Sequence, residues 1–132
     1  MIIEDVQITP VAIPAEGLKK AKSDIVCALI IEISTDCGLV GIGESPLLLE
    51  EENICVPIHT VIRNNLIGKD ACDINKRIRD LSADLELHKL HLQAADRLIR
   101  GVEIALWDIL GKRAGKPLCD VWGGAYRQQI EF

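Results

Sequence analysis

The stretch "ALWDILGKRAGKPLCDVWGG", Ala105 to Gly124, contains a helix, its stop and a second short turn of structure. Upstream and through it, Leu92, Ala95, Ile99, Val102, Leu106 and Ile109 recur at alternating spacings of three and four, which is one apolar stripe of an α-helix. Lys112 and Arg113 suit the negative C-terminal end of that helix. Gly115 fits the left-handed position just beyond it, and Pro117 bars continuation. Pro117 then opens a short turn through Trp122, which Gly123 and Gly124 end.

Working back toward the N-terminus, Asp73 is a good N-cap for a preceding helix whose Ile74, Ile78, Leu81 and Leu85 share a face. Another helix starts near Pro57 and reaches toward Leu66, with Gly68 closing it. The first third reads as strands. "DVQIT" alternates polar and apolar, and Pro10 and Pro14 confine its continuation to a sheet edge or a strand end. "DIVCALIIEIS" is a β-branched run whose beginning should be covered on both faces; "TDCG" supplies a turn, and "LVGIGE" returns. Three antiparallel strands in a meander, then three helices and a short fourth, define an α+β fold. The last residues, "RQQIEF", read as the entry into a further strand, so residues 1–125 form the domain and 126–132 a connection.

Composition narrows the function. Hydrophobic residues make up 48% and charged ones 27%, which is ample for a core, while aromatics are only 3%. Few stacking surfaces and a net charge of −5 argue against a nucleic-acid partner. No apolar run approaches a membrane span, and the N-terminus lacks a leader pattern, so a cytoplasmic protein without a membrane partner is expected. Cys27, Cys37, Cys55, Cys72 and Cys119 form no C-x-x-C pair and read as free thiols.

Most chemical motifs fail on inspection. "GLVGIGESP" puts Pro46 where a dinucleotide loop needs glycine, so Gly41 and Gly43 read as close-packing positions in a strand. "GESPL" lacks the final glycine of a nucleophile elbow. His88 with His91, and Cys55 with His59, supply two potential ligands each, too few for a metal site. "EEEN", Glu50 to Asn53, reads as acid favouring a helix N-terminus. Asp108, set between Trp107 and Ile109, needs a partner or a shifted pKa; a structural salt bridge or cap contact outweighs catalysis, because spacing places no second acid or base beside it. The segment "AEGLKKAKS", Ala15 to Ser23, is either a functional loop or a solvated lysine-rich one.

Resemblance goes further than spacing. "GVEIALWDILGKRAGKPLCDVWGG", with "GLVGIGES" upstream and "LIGKDACDI" between them, resembles the N-terminal capping domain of the mandelate racemase and muconate lactonizing enzyme branch of the enolase superfamily. The likeness covers essentially the whole chain. It implies a cap over a TIM barrel of roughly 250 residues, a barrel this chain does not hold. It also implies a complete enzyme that abstracts a proton α to a carboxylate with Mg²⁺, as a racemase or epimerase, a cycloisomerase or an acid-sugar dehydratase.

In that family the bases and metal ligands lie in the barrel, so no catalytic or metal residue is assigned here, and the isolated chain is expected to be inactive. Two segments of the cap close over the barrel mouth. By position they correspond here to Ala15–Ser23, with Glu16, Lys19, Lys20, Lys22 and Ser23, and to Pro46–Glu52, with Leu47, Leu48 and Leu49. The implied partners are a small carboxylate substrate, the chain's own barrel and further copies in a homo-oligomer. Gly41, Gly43, Trp107, Asp108, Gly115, Pro117, Gly123 and Gly124 take structural roles. The rival reading is a self-sufficient binding or protein-interaction module without catalysis.

Overall fold

A computed structural model describes residues 1–14, 25–47, 55–87 and 92–130; for 25, 26, 47, 55–58, 86, 87 and 92–94 it gives the backbone alone. Three antiparallel strands, β1 (Ile3–Pro14), β2 (Ile25–Thr35) and β3 (Val40–Leu47), form a meander with β2 in the centre. The helices α1 (Cys55–Leu66), α2 (Ile74–Leu87), α3 (Leu92–Ala114) and the short α4 (Leu118–Val121) follow. The class is the expected α+β.

Register explains which side chains enter the core. Val6 pairs with Ile33, which pairs in turn with Gly41, and Ile8 pairs with Ile31, which pairs with Gly43, so these positions share the helix-facing side. A shift between Ile3 and Asp5 inserts one residue and brings Ile3 onto the same face, where it is fully buried. Ala28 is buried from the other face of β2 beside Leu29, in keeping with a strand covered on both sides near its start. At the tight β2–β3 turn Gly38 adopts φ +79°, and the Thr35 and Leu39 backbones bond across it.

α3 lies mainly over β3, α1 over β1, and α2 packs against both helices. Ile62 and Leu66 of α1, Leu81 and Leu85 of α2, and Val102, Leu106 and Ile109 of α3 close the aliphatic core. The start of β1 is also held laterally: Ile3 N–H donates to the Lys69 carbonyl at 2.9 Å, and Gly68 N–H donates to the Ile3 carbonyl at 2.8 Å. Gly68 closes α1 with φ +76°. Asp73 stands at the start of α2, its carbonyl accepting the Arg77 N–H at 2.9 Å. No helix among the described residues is long and apolar enough to cross a membrane. Residues 125–130 are unpaired by any strand among the described residues, and residues 131 and 132 of "RQQIEF" lie outside them; a strand there needs a neighbour to complete its hydrogen bonds.

Both proline expectations hold. β1 is an edge strand, and it carries Pro10 and Pro14. Beside them the Val6 carbonyl accepts bonds from Arg63 Nη1 at 2.7 Å and from the His59 ring nitrogen Nε2, which lies 3.1 Å away. Arg63 also pairs with Asp5. That guanidinium, with the Gln7 amide, holds the Asp5 carboxyl below its usual range. A carboxyl with a lowered folded-state pKa stabilises the fold above its unfolded value, and the contribution fades as pH falls through the folded value. Asp5→Asn should therefore cost stability at neutral pH, and that cost should shrink as the pH is lowered through the folded-state value. Urea midpoints measured across that range check this; an equal loss at both ends would assign the effect to packing.

Candidate functional site

At two glycines of β3 the strand backbone comes close to the backbone of α3. A Cβ built on Gly41 would collide with the Ala105 carbonyl oxygen and lie 2.5 Å from Ile109 Cγ1. One on Gly43 would collide with the Gly101 carbonyl and sit 2.9 Å from the Ala105 nitrogen. From the other side, a Cβ on Gly101 would lie 2.7 Å from Ile31 Cδ1 and 3.1 Å from the Glu44 carbonyl oxygen, a less severe approach. Three glycines thus let α3 settle directly onto β3. The buried stripe of α3 is wider than the sequence pattern, because Leu98, Gly101 and Ala105 join it. Gly101 was the available signal: an interior helical glycine costs about 1 kcal/mol relative to alanine and calls for a packing reason.

At this short separation Asp108 reaches the edge of the sheet. Its Oδ2 accepts the Ile42 N–H at 2.8 Å and the Lys112 ammonium at 2.7 Å, and Lys112 Nζ also donates to the Val40 carbonyl at 2.7 Å. Asp108 is 31% exposed, and its Oδ2 carries both bonds. The structural reading of this carboxylate therefore has its partners.

The end of α3 follows its sequence closely. Gly115 takes φ +61°, Lys116 N–H donates to the Gly111 carbonyl and Gly115 N–H to that of Lys112, the double bond of a Schellman stop. Pro117 caps α4 as its N-cap, one position earlier than a first helical residue. Trp107 packs edge-on against Trp122, with centroids 5.4 Å apart, and Gly123 and Gly124 take φ +106° and +111°. A shallow depression of about 250 Å³ lies at this joint, lined by Asp108, Lys112, Lys116, Pro117 and Leu118 among others. Arg113 donates to the Cys72 sulfur at 2.6 Å, tying the end of α3 to the approach to α2.

The substrate-segment residues Glu16, Lys19, Lys20, Lys22, Ser23, Leu48 and Leu49 lie outside the described residues, as does the side chain of Leu47. What the structure places is their roots. Pro14 pairs with Ile25, Ala12 with Cys27, and Cys27 with Leu47, so both segments leave the same end of the sheet. His88, His91, Glu50 to Asn53 and the side chain of Cys55 are also outside. Cys27, Cys37, Cys72 and Cys119 are free thiols. Among the described residues, no three His, Cys, Asp or Glu side chains cluster as a metal site.

Comparison with known proteins fits this architecture. The N-terminal domain model of the mandelate racemase/muconate lactonizing enzyme family matches residues 2–123, and the chain belongs to that family. It is 34% identical over 104 residues to a D-galactonate dehydratase family member from Paenibacillus sp. (strain JDR-2), covering 76% of this chain and 25% of the relative. It is 32% identical over 117 residues to arabinonate dehydratase from Saccharolobus solfataricus, covering 89% and 30%. An enolase structure from Pseudomonas fluorescens Pf0-1 with bound magnesium, potassium and tartrate superposes with a TM-score of 0.75 at 25% identity, over 99% of this chain and 34% of that one. The chain spans about a quarter to a third of the length of these relatives.

Two substitutions test the frame. Gly43→Ala forces a methyl against the Gly101 carbonyl and should cost about 2 kcal/mol or more. Asp108→Asn keeps an acceptor but loses the charge, and should cost about 1 kcal/mol or less because the site is partly exposed. Thermal melts rank them: Gly43→Ala well below Asp108→Asn, and both below the unchanged chain.

Proposed function

We propose that this chain is the capping and substrate-selecting domain of an enolase-superfamily enzyme acting on an acid sugar. The complete enzyme would remove a proton α to the carboxylate with the help of Mg²⁺ and expel water, a dehydration. The family match supports the superfamily, and relatives named as D-galactonate and arabinonate dehydratases favour dehydration over racemisation or cycloisomerisation. Magnesium in related solved structures supports the metal. With this goes a cytoplasmic, homo-oligomeric complete enzyme.

The observation that carries the role of this chain is the common root of the two segments. One helix–sheet frame holds the roots of both segments at a single end: Pro14 and Ile25 flank the first, and Pro46 and Leu47, which close β3, begin the second. On this reading the chain's contribution is recognition of the substrate and exclusion of water. Lys19, Lys20 and Lys22 attract the substrate anion, and Leu47, Leu48 and Leu49 supply an apolar wall.

In the complete enzyme, replacing Lys19, Lys20 and Lys22 by alanine should raise KM for an acid-sugar substrate about tenfold, some 1.4 kcal/mol, with kcat much less affected. Leu48→Ser with Leu49→Ser should reorder the preference among acid sugars. Unchanged kcat/KM and preference in both variants would sink the selecting role. The purified 132-residue chain should show no dehydratase or racemase turnover with Mg²⁺; measurable turnover would overturn the assignment of catalysis to a partner domain.

A further inference from the structure

We propose that Asp108 and Lys112 guard the open edge of the sheet, keeping a second copy of this chain from adding its own β3 strand alongside. Among the described residues β3 has β2 on one side only. In an antiparallel ladder alternate residues direct both backbone groups outward. The Ile42 N–H, given to Asp108 rather than to β2, identifies Val40, Ile42, Glu44 and Pro46 as the outward set. Lys112 occupies the Val40 carbonyl, Asp108 occupies the Ile42 N–H, and Pro46 has no N–H to offer. The two guarding side chains hold each other through the same carboxylate oxygen.

What they guard is a competent strand template. Val40 and Ile42 are β-branched and exposed at 38% and 49%, and an edge with free backbone groups and apolar side chains invites pairing. A second copy is the occupant the sequence suits best. Antiparallel pairing centred on Ile42 sets Ile42 opposite itself and Glu44 opposite Val40, so no like charges meet across the new ladder. The other edge is closed by different means. Residues 68–71 bond along the start of β1, Arg63 and His59 meet the Val6 carbonyl, and Pro10 and Pro14 occupy alternate positions from Val6 onward.

The test removes the guard and then the template. Asp108→Ala with Lys112→Ala should add a concentration-dependent association, seen by sedimentation velocity, beyond whatever assembly the unchanged chain shows. Adding Ile42→Pro, which removes the outward N–H without touching the β2 ladder, should abolish that gain. Asp108→Asn, which keeps an acceptor for Ile42, should assemble as the unchanged chain does. A double variant whose assembly matches the unchanged chain, or a gain that survives Ile42→Pro, overturns the proposal. Should the double variant fail to fold by circular dichroism, Lys112→Ala alone is read in the same way, since it bares the Val40 carbonyl while leaving the Asp108 bond; no added association there overturns the proposal equally.

Discussion

Two carbonyl oxygens of α3, from Gly101 and Ala105, lie where the side chains of Gly43 and Gly41 would otherwise be. This contact sets the distance between helix and sheet, and the rest of the molecule is arranged around that distance. Because α3 runs antiparallel to β3, the close approach extends along the strand, from Gly101 near Ser45 to Ala105 and Ile109 near Gly41. It draws Ile31, Val102, Leu106 and Ile109 into one dense core. It also puts Asp108 and Lys112 within bonding reach of the backbone of β3. An alanine at either strand glycine would push the helix out, lengthening those bonds and opening the core together.

The two ends of the sheet differ within the same frame. One end of the sheet is fastened: the β2–β3 turn closes on Gly38, the chain start bonds to residues 68–71, and Ile2 N–H donates to Asp36 Oδ1 at 2.9 Å. The opposite end carries the roots of the two segments to which we assign substrate recognition. On the proposed reading, a rigid platform would support the recognition segments at one end, since orientation is only as good as the support behind it.

The sequence made the fold legible where local chemistry decides. The third helix, its stop at Gly115 and the turn at Gly38 follow from residue type and spacing, because left-handed backbone and helix termination are local costs. The meander was legible through alternation, and the edge position of β1 through its prolines. Less visible was whatever depends on a distant neighbour. Gly101 has its reason only in Ile31 and Gly43, far away in the chain. The insertion near Ile3, which re-phases β1, leaves no residue-type signature. Asp108 stood out as an acid in an apolar helix, but its partner is the backbone amide of Ile42, and every residue type carries one. The candidate recognition segments were reached through resemblance, since lysines and leucines in a loop fit several roles equally well.

The shared end from which the two segments leave bears on how such a domain can diversify. Closing a loop between fixed ends costs chain entropy that grows only with the logarithm of length, about 0.6 kcal/mol for each doubling. Pro14 and Ile25, paired in the ladder, and Leu47, held beside Cys27, are such fixed ends. Insertions between Pro14 and Ile25, or between Leu47 and the start of α1, are therefore cheap in stability and leave the glycine contact untouched. The same platform can accept new recognition surfaces by lengthening, while its tolerance for even one added methyl at Gly41 or Gly43 is close to nil.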